Sequence, residues 1–333
     1  MAPLGFIQDQ KGYEDGIFKV IQCQDEFGQI LEDKGSTVSP KADPKSSSPA
    51  STTQPSGTIC NIGSGGSVNV YLMERYSPMK GCYKSPWAVK KINSKINHGN
   101  NEYTKRLNAE AKLLKTLKHP NIIGYRSYST STDGTICLAM EASEKSLADL
   151  IEQRSEKDFG PFPAKTILKV CHEMCQGLNY LHNNCHLLHG DLKSANILVT
   201  GDFDQVKLCD FGVALKLDKK GNQANKKEYY IGTECWSAPE AVIGDTISHK
   251  TDMFAFGLVL WEMISLSAPH IDKLNFDDSV SEEQNEEEFQ NALGQRPTLP
   301  DTDLDDSYLP VLEIFYVCTE QDPMKRPSAK QIL

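Results

Sequence analysis

The chain has 333 residues, of which 39% are hydrophobic and 24% charged, enough for one large globular unit or two joined lobes. Its formal net charge of -10 argues against nucleic acid or an anionic membrane surface as a partner. No apolar run reaches the roughly 18 residues that a spanning helix needs, so we expect no membrane insertion. The ten cysteines are scattered without a CxxC pair, which favours reduced thiols in a cytoplasmic or nuclear protein.

Residues 1–57 are predicted to be an N-terminal extension that is largely disordered. From Gly35 onward the sequence reads GSTVSPKADPKSSSPASTTQPSG, which holds few residues that could enter a core. Two Ser-Pro pairs, Ser39-Pro40 and Ser48-Pro49, are candidate targets of proline-directed kinases.

Residues 58–142 favour strands, because apolar residues alternate around Val70 and short apolar runs follow at 87–92 and 136–140. One helix is predicted at about 102–118, and Glu110 falls on its apolar face. An inward carboxylate is costly unless it is paired. Lys90, which lies inside an apolar strand run, is its natural partner.

Residues 143–333 are mainly helical, with periodic apolar residues that predict helices at about 167–181, 252–266 and 309–318. A strand-rich part followed by a helix-rich part predicts an α+β fold with two packed lobes and a cleft between them. An acidic insertion at about 271–306 contains DDSVSEEQNEEEF. It is interpreted either as a solvated loop or as a docking surface for a basic partner.

A glycine-rich segment lies between two of the predicted strands and reads Ile62-Gly63-Ser64-Gly65-Gly66-Ser67-Val68. Small residues let backbone N–H groups approach a phosphate chain closely. The segment is weak evidence alone, because any glycine turn in a hairpin looks similar. It also departs from the GxGxxGxV pattern, since Val68 stands where the third glycine is expected.

The most specific string is His189-Gly190-Asp191-Leu192-Lys193-Ser194-Ala195-Asn196. Asp191 can orient a substrate hydroxyl and accept its proton, and Lys193 can neutralise charge on a transferring phosphate. Asn196 can bind a metal ion through its side-chain oxygen. Asp210, in Asp210-Phe211-Gly212, offers the carboxylate oxygen that Mg²⁺ prefers.

In this order and spacing the motifs resemble the protein kinase family over about 59–333. The resemblance implies a bilobal kinase fold and phosphate transfer from ATP, with Mg²⁺, to serine or threonine of protein substrates. It assigns catalytic roles to Lys90, Glu110, Asp191 and Lys193. It assigns ATP contacts to Ile62, Gly63, Gly65, Val70, Ala88, Lys90, Met140, Glu141, Ser143, Asn196 and Asp210. The metal ligands would be Asn196 and Asp210.

Strings such as SPWAVKKIN and LLHGDLKSANILV are similar to a mitotic group related to MAP kinase kinases, so MAP kinases are candidate substrates. A dual-specificity MAP kinase kinase is one alternative. A pseudokinase scaffold is another, supported by the incomplete glycine pattern and by Gly190, which replaces the usual arginine. The chain ends at Lys330-Gln331-Ile332-Leu333, so no PDZ-domain partner is expected.

The resemblance also makes two predictions about the segment that follows Asp210. Thr233 would contact Asp191, and Glu240 would pair with Arg326. Residues 213–231 contain no Ser or Thr, so we expect catalysis that does not depend on phosphorylation of those residue types there.

Overall fold

A computed structural model describes residues 59–65, 68–77, 82–92, 101–130, 136–273 and 282–333 of the chain. The predicted extension, with its Ser-Pro pairs, lies outside these residues. The described residues before Asn101, together with 129–130 and 136–137, form one compact unit. Residues 101–128 and the described residues from Leu138 onward form a second one.

The first unit is built on three long strands, β1 (Ile59–Gly65), β2 (Val68–Ser77) and β3 (Cys82–Ile92). They pair antiparallel in that order, with Val70 opposite Gly63 on one side and opposite Lys90 on the other. The register of β1 shifts between Asn61 and Gly63, so Ile62 occupies an irregular position. The strands predicted from the alternation around Val70 are confirmed.

The second unit begins with helix α1 (Asn101–Leu114) and contains most of the neighbouring strands β4 (Tyr125–Thr130) and β5 (Ile136–Glu141). Backbone hydrogen bonds from Ile123 N to Leu208 O (2.9 Å) and from Leu208 N to Asn121 O (2.9 Å) tie the connection after α1 to a later strand. Helix α1 therefore groups with the helical part of the chain. This division differs from the predicted lobe boundaries of 58–142 and 143–333.

The rest of the second unit is mainly helical. Its helices within the described residues are α2 (Leu147–Glu156), α3 (Ala164–Asn179), α4 (Pro239–Val242), α5 (His249–Ser265), α6 (Glu282–Ala292), α7 (Leu309–Cys318) and α8 (Ala329–Ile332). The predicted helices at 167–181, 252–266 and 309–318 are confirmed by α3, which continues into a π-helical turn, and by α5 and α7. Every residue of α5 from Thr251 to Ile264 is buried, so this helix forms the centre of the unit.

Short strands hold the loops that matter for function. β6 (Lys145–Ser146), β8 (Ile197–Thr200) and β9 (Gln205–Leu208) form one small sheet, and β7 (Leu187–Leu188) pairs with β10 (Leu215–Lys216). Across the described part of the chain, no helix combines the length and the apolar character that crossing a bilayer requires.

The acidic insertion is not an irregular loop throughout, because part of it is helical. Residues 282–292 form helix α6, whose Phe289 is fully buried. Phe289 and Leu293, one helical turn apart, pack with Cys235 and Trp236. Two apolar side chains therefore anchor an otherwise acidic helix, while residues 274–281 lie outside the described residues.

Candidate active site

The loop that contains Asp191 is held by a buried carboxylate near the start of α5. Asp252 accepts hydrogen bonds from the backbone N–H groups of His189 (2.8 Å) and Gly190 (2.9 Å), and from the His182 ring (2.8 Å). Burial acts to raise the pKa of Asp252, but the hydrogen bonds and the interaction with His182 outweigh it and lower this pKa. The carboxylate therefore stays charged and fixes two consecutive loop amides.

The imidazole of His189 connects this loop to the Asp210 segment. Its Nε2–H donates to the carbonyl oxygen of Cys209 (2.9 Å), and its Nδ1 accepts the backbone N–H of Asp191 (3.3 Å). These two bonds select the Nε2–H tautomer of a neutral ring. The ring also packs against Phe211, with centroids 5.0 Å apart. His189, two residues before Asp191, is thus hydrogen-bonded to Cys209, the residue before Asp210.

The carboxylate of Asp191 is surrounded by three functional side chains. Its Oδ1 accepts both the backbone N–H (3.0 Å) and the hydroxyl (2.6 Å) of Thr233. Its Oδ2 accepts the amide of Asn196 (2.9 Å) and lies 3.1 Å from the ammonium of Lys193. Lys193 Nζ also donates to the Thr233 hydroxyl (2.6 Å). The predicted contact between Thr233 and Asp191 is confirmed.

Asn196 and Asp210, the predicted metal ligands, lie at the two ends of one β-hairpin. Strands β8 and β9 pair so that Ile197 lies opposite Leu208, and Cys209 N donates to Asn196 O (3.0 Å). Asn196 points its Nδ2 at Asp191, donating to the backbone oxygen (2.7 Å) as well as to Oδ2, which leaves its Oδ1 to act as an acceptor or metal ligand.

Asp210 adopts a left-handed conformation with φ of +61°, and its Oδ1 accepts Gly212 N–H (3.2 Å). An amide oxygen and a carboxylate are the hard donors that a divalent ion such as Mg²⁺ takes when phosphates and water complete its coordination. Among the residues that the structure covers, no cluster of three or more His, Cys, Asp and Glu side chains could hold a metal by itself. The donor set therefore fits an ion shared with a phosphate ligand.

Glu110 is buried, as its predicted position on the apolar face of α1 required, and it lies beside the Asp210 segment. It is 3% exposed, and its Oε2 is 3.7 Å from where a Cβ on Gly212 would lie. Lys90 belongs to the first unit, so its pairing with Glu110 remains a prediction. Within the first unit Val70, Ala88 and Lys90 lie on one face of the sheet, because Val70 is opposite Lys90 and the side chains of a strand alternate.

The predicted adenine-contact residues use their side chains elsewhere. Glu141 accepts from Lys207 Nζ (2.7 Å) and from the backbone N–H of Gly124 (3.2 Å). The Ser143 hydroxyl donates to the carbonyl of Val199 (2.7 Å). Met140 is buried at the end of β5. Because these side chains are engaged within the protein, we assign any nucleotide contact from Glu141 or Ser143 to the backbone.

Glu262 is a functional residue that sequence reasoning missed. It is buried in α5 and accepts hydrogen bonds from the hydroxyl and backbone N–H of Ser194 and from Trp236 Nε1 (2.8 Å). Burial is the main cause that raises its pKa to about 7. One side chain thus joins the loop after Lys193 to the segment after Thr233. A carboxylate inside an apolar helical run was the available signal, because such a group needs partners.

Part of the segment from Val213 to Glu240 is held by hydrogen bonds within the segment and to the residues before α5. Asp218 Oδ1 accepts the backbone N–H groups of Lys220 (2.8 Å) and Asn222 (3.0 Å), and Gln223 N donates to Ile247 O (2.9 Å).

Gly190 has a φ of +81°, and a Cβ there would lie 3.1 Å from Val213 O, so its backbone suits glycine.

A buried ion pair between Glu240 and Arg326 fixes the C-terminal end of the segment from Val213 to Glu240. Arg326 contacts both carboxylate oxygens of Glu240 at 2.8 Å, and both residues are almost fully buried. Arg326 also donates to the backbone oxygens of Glu320 (2.7 Å), Lys250 (3.0 Å) and Gln321 (3.2 Å), which satisfies its remaining three protons. The predicted pairing of Glu240 with Arg326 is confirmed.

The protein kinase domain family matches residues 58–333. Human lymphokine-activated killer T-cell-originated protein kinase is 51% identical over 280 residues, which cover 82% of this chain and 86% of the relative. The dual specificity protein kinase shkD of Dictyostelium discoideum is 31% identical, over 67% of this chain and 28% of that protein. The mitogen-activated protein kinase kinase kinase ANP1 of Arabidopsis thaliana is 30% identical, over 74% of this chain and 35% of that protein.

Proposed function

The chain belongs to the protein kinase family and is a serine/threonine protein kinase that uses ATP and a divalent metal; from this premise we propose the roles of the residues around Asp191. The observation that carries the proposal is the way Asp191 is held. Thr233 fixes one of its carboxylate oxygens, while Asn196 and Lys193 contact the other. A carboxylate fixed in this way is a suitable proton acceptor for a substrate hydroxyl.

In phosphate transfer, Asp191 orients the serine or threonine hydroxyl and takes its proton. Lys193 lies beside it and places a positive charge where the transferred phosphate gathers negative charge. Asn196 and Asp210 would hold Mg²⁺, which when bound would neutralise negative charge on the phosphates. Because phosphoryl transfer needs mainly positioning and charge neutralisation, we assign both tasks at the reacting phosphate to these side chains.

The remaining predicted residues bind the nucleotide. Lys90, oriented by Glu110, contacts the phosphates, and the strand register of Val70 against Gly63 and Lys90 supports this role. The backbone of Gly63 and Gly65 approaches the phosphates. We propose that the base contacts Ile62, Val70, Ala88 and Met140 and the backbone of Glu141 and Ser143.

Phosphate transfer and nucleotide binding should be measured separately. We expect Asp191→Asn to abolish transfer of labelled γ-phosphate to a serine peptide while ATP binding, followed by fluorescence or calorimetry, persists. Asp301→Asn, at an exposed position outside the site, is the matched control and should behave as the wild type. A wild-type protein that binds ATP but transfers no phosphate above the Asp191→Asn background would favour the pseudokinase scaffold instead.

The narrower proposal is a mitotic kinase of the cytoplasm or nucleus that acts on MAP kinases. The motif strings, and relatives whose names include a dual specificity protein kinase and a mitogen-activated protein kinase kinase kinase, support it. Matched serine, threonine and tyrosine peptides should be assayed beside purified MAP kinases. Transfer to serine and threonine alone supports the serine/threonine assignment, whereas equal transfer to tyrosine favours the dual-specificity alternative.

A further inference from the structure

A groove of about 450 Å³ lies in the second unit, between the connection from α1 to β4 and the first part of β9. Its wall carries five basic side chains and one acidic side chain, which together define the basic groove: Lys115, Lys118, His119, Arg126, Lys207 and Glu141. The side chains that hold Asp191 are not among its lining residues. We therefore assign the basic side chains of the groove no role in phosphate transfer.

The charges of the basic groove are only partly compensated. Lys207 and Glu141 form an ion pair at 2.7 Å and neutralise each other. Lys115, Lys118 and Arg126 are exposed, and none of them forms an ion pair with a carboxylate in the described part of the chain. Among the described residues, three positive charges without an ion-pair partner thus line this groove of a chain whose formal net charge is -10.

The wall beside these charges is neutral and aromatic. The ring of His119 stacks on Tyr180, with centroids 4.9 Å apart and an interplanar angle of 21°. Burial lowers the pKa of His119, and its Nδ1 accepts the backbone N–H of Asn121 (3.1 Å). His119 therefore adds a flat surface rather than a charge. Buried Leu117 and Ile122 complete an apolar lining.

The backbone of the basic groove is already held in place. Lys118 N donates to the hydroxyl of Tyr180 (3.0 Å), and Glu141 N donates to Gly124 O (2.8 Å). Asn121 anchors the base of the loop through its amide, which donates to Val206 O (3.0 Å) and to Glu173 (3.0 Å). A preformed site loses less conformational entropy on binding than a site that must first become ordered.

We infer that the basic groove docks an acidic, extended segment of a partner protein, in which Asp or Glu alternates with apolar residues. Carboxylates of the segment would meet Lys115, Lys118 and Arg126, while its apolar side chains would lie on the aromatic and apolar lining. A nucleic acid is disfavoured, because the groove offers three free cations next to Glu141 on an acidic protein, whereas tight phosphate-backbone binding uses roughly 6–10 contacts.

Fluorescence anisotropy can measure this docking on the full chain. The probe is a short labelled peptide that alternates Glu and Leu, and the control peptide alternates Gln and Leu. The test variant is Lys115→Glu/Lys118→Glu/Arg126→Glu. The matched control, Lys165→Glu/Lys169→Glu/Lys330→Glu, changes the net charge equally at exposed positions outside the groove.

We expect the test variant to bind the acidic peptide about tenfold more weakly than the wild type, because each substitution removes a favourable charge contact and replaces it with a repulsive one. The control variant should stay close to the wild type, and added salt should weaken wild-type binding. Transfer of phosphate to a short serine peptide should be the same in all three proteins, because the groove lies outside the catalytic side chains.

Three results would overturn the inference. One is equal weakening in the test and control variants, which would indicate a general charge effect. The second is equal binding of the Gln-Leu peptide. The third is displacement of the acidic peptide by single-stranded DNA or inorganic phosphate at matched charge concentration, which would assign the groove to a different ligand. If the charge-reversed variant unfolds, Lys115→Gln/Lys118→Gln/Arg126→Gln replaces it, with the same expectation.

Discussion

Thr233→Val tests whether the hydroxyl of Thr233 sets the position of Asp191. Valine keeps the shape of the side chain but removes the hydroxyl, which donates to Asp191 Oδ1 (2.6 Å) and accepts from Lys193 Nζ (2.6 Å). The backbone N–H of Thr233 still donates to Asp191 (3.0 Å), so the carboxylate keeps one of its two contacts with this residue. The substitution therefore loosens the site without dismantling it.

The expected loss of kcat follows from the free energy of the two lost hydrogen bonds, each of which involves a charged group. Hydrogen bonds to charged groups contribute roughly 1.5–3 kcal/mol each. Asp191 and Lys193 are 17% and 24% exposed, so water replaces part of what is lost. We therefore assign about 1.5–3 kcal/mol to the pair of bonds together. At 1.36 kcal/mol per factor of ten, this predicts a kcat about 10- to 150-fold lower, with the KM for ATP unchanged.

Initial rates against both substrates would measure the effect, with Thr233→Ser as the control that keeps a hydroxyl. Thermal unfolding of each variant would show that the fold is retained. A Thr233→Val enzyme whose kcat stays within about twofold of the wild type, equivalent to about 0.4 kcal/mol, would refute the reasoning. Equal losses in the Ser and Val variants would show that the site responds to any change in side-chain shape at this position, not specifically to the hydroxyl.

Three further substitutions test the surrounding framework. Arg326→Met leaves buried Glu240 without its cation and should cost about 3–5 kcal/mol, or roughly 6–20 °C in Tm by calorimetry; an unchanged Tm would contradict the pairing. Gly190→Ala forces alanine into a φ of +81° and should lower the unfolding free energy in urea by at least about 1–2 kcal/mol, whereas unchanged stability would contradict the strain. Because the pKa of Glu262 is raised to about 7 in the folded state, its contribution to stability is fully present below pH 4.5 and is lost as the pH rises through 7. The wild type should therefore lose stability between about pH 5 and about pH 8, and Glu262→Gln should lose less over the same range. Parallel profiles of the unfolding free energy against pH for both proteins would refute this.

Local motifs predicted most of the site because their residues are close along the chain. Asp191, Lys193 and Asn196 lie on one short loop, so their spacing alone brings them together. The ion pair between Glu240 and Arg326 was also predicted, although 86 positions separate them. That prediction depended on resemblance to the family rather than on any physical signal in the two residues.

Contacts between distant segments could not be predicted from the residues. The partners of Glu262 are Ser194 and Trp236, which lie 68 and 26 positions away, and nothing in their local sequence indicates the contact. The side-chain bonds of Glu141 and Ser143 were missed for a different reason. A motif assigns a position in the chain, but it does not say whether the side chain or the backbone faces a ligand.

Composition misled the interpretation of the acidic insertion. A high density of Glu suggested solvation, yet Glu is a good helix former, and two apolar residues four positions apart are enough to dock one helical face. Phe289 and Leu293 supply that face in and beside α6. Sparse apolar residues at helical spacing therefore carry more structural information than the average charge of a segment.

The backbone N–H groups of His189 and Gly190 donate to the carboxylate of Asp252, near the buried start of α5, although both residues belong to a loop. Such hydrogens exchange with deuterium from the solvent only when the loop separates from that helix, an event that approaches global unfolding of the unit. A segment without regular secondary structure thus acquires the slow exchange of a core helix. Asp191 is consequently positioned before a substrate arrives, and little reorganisation is left for the reaction itself.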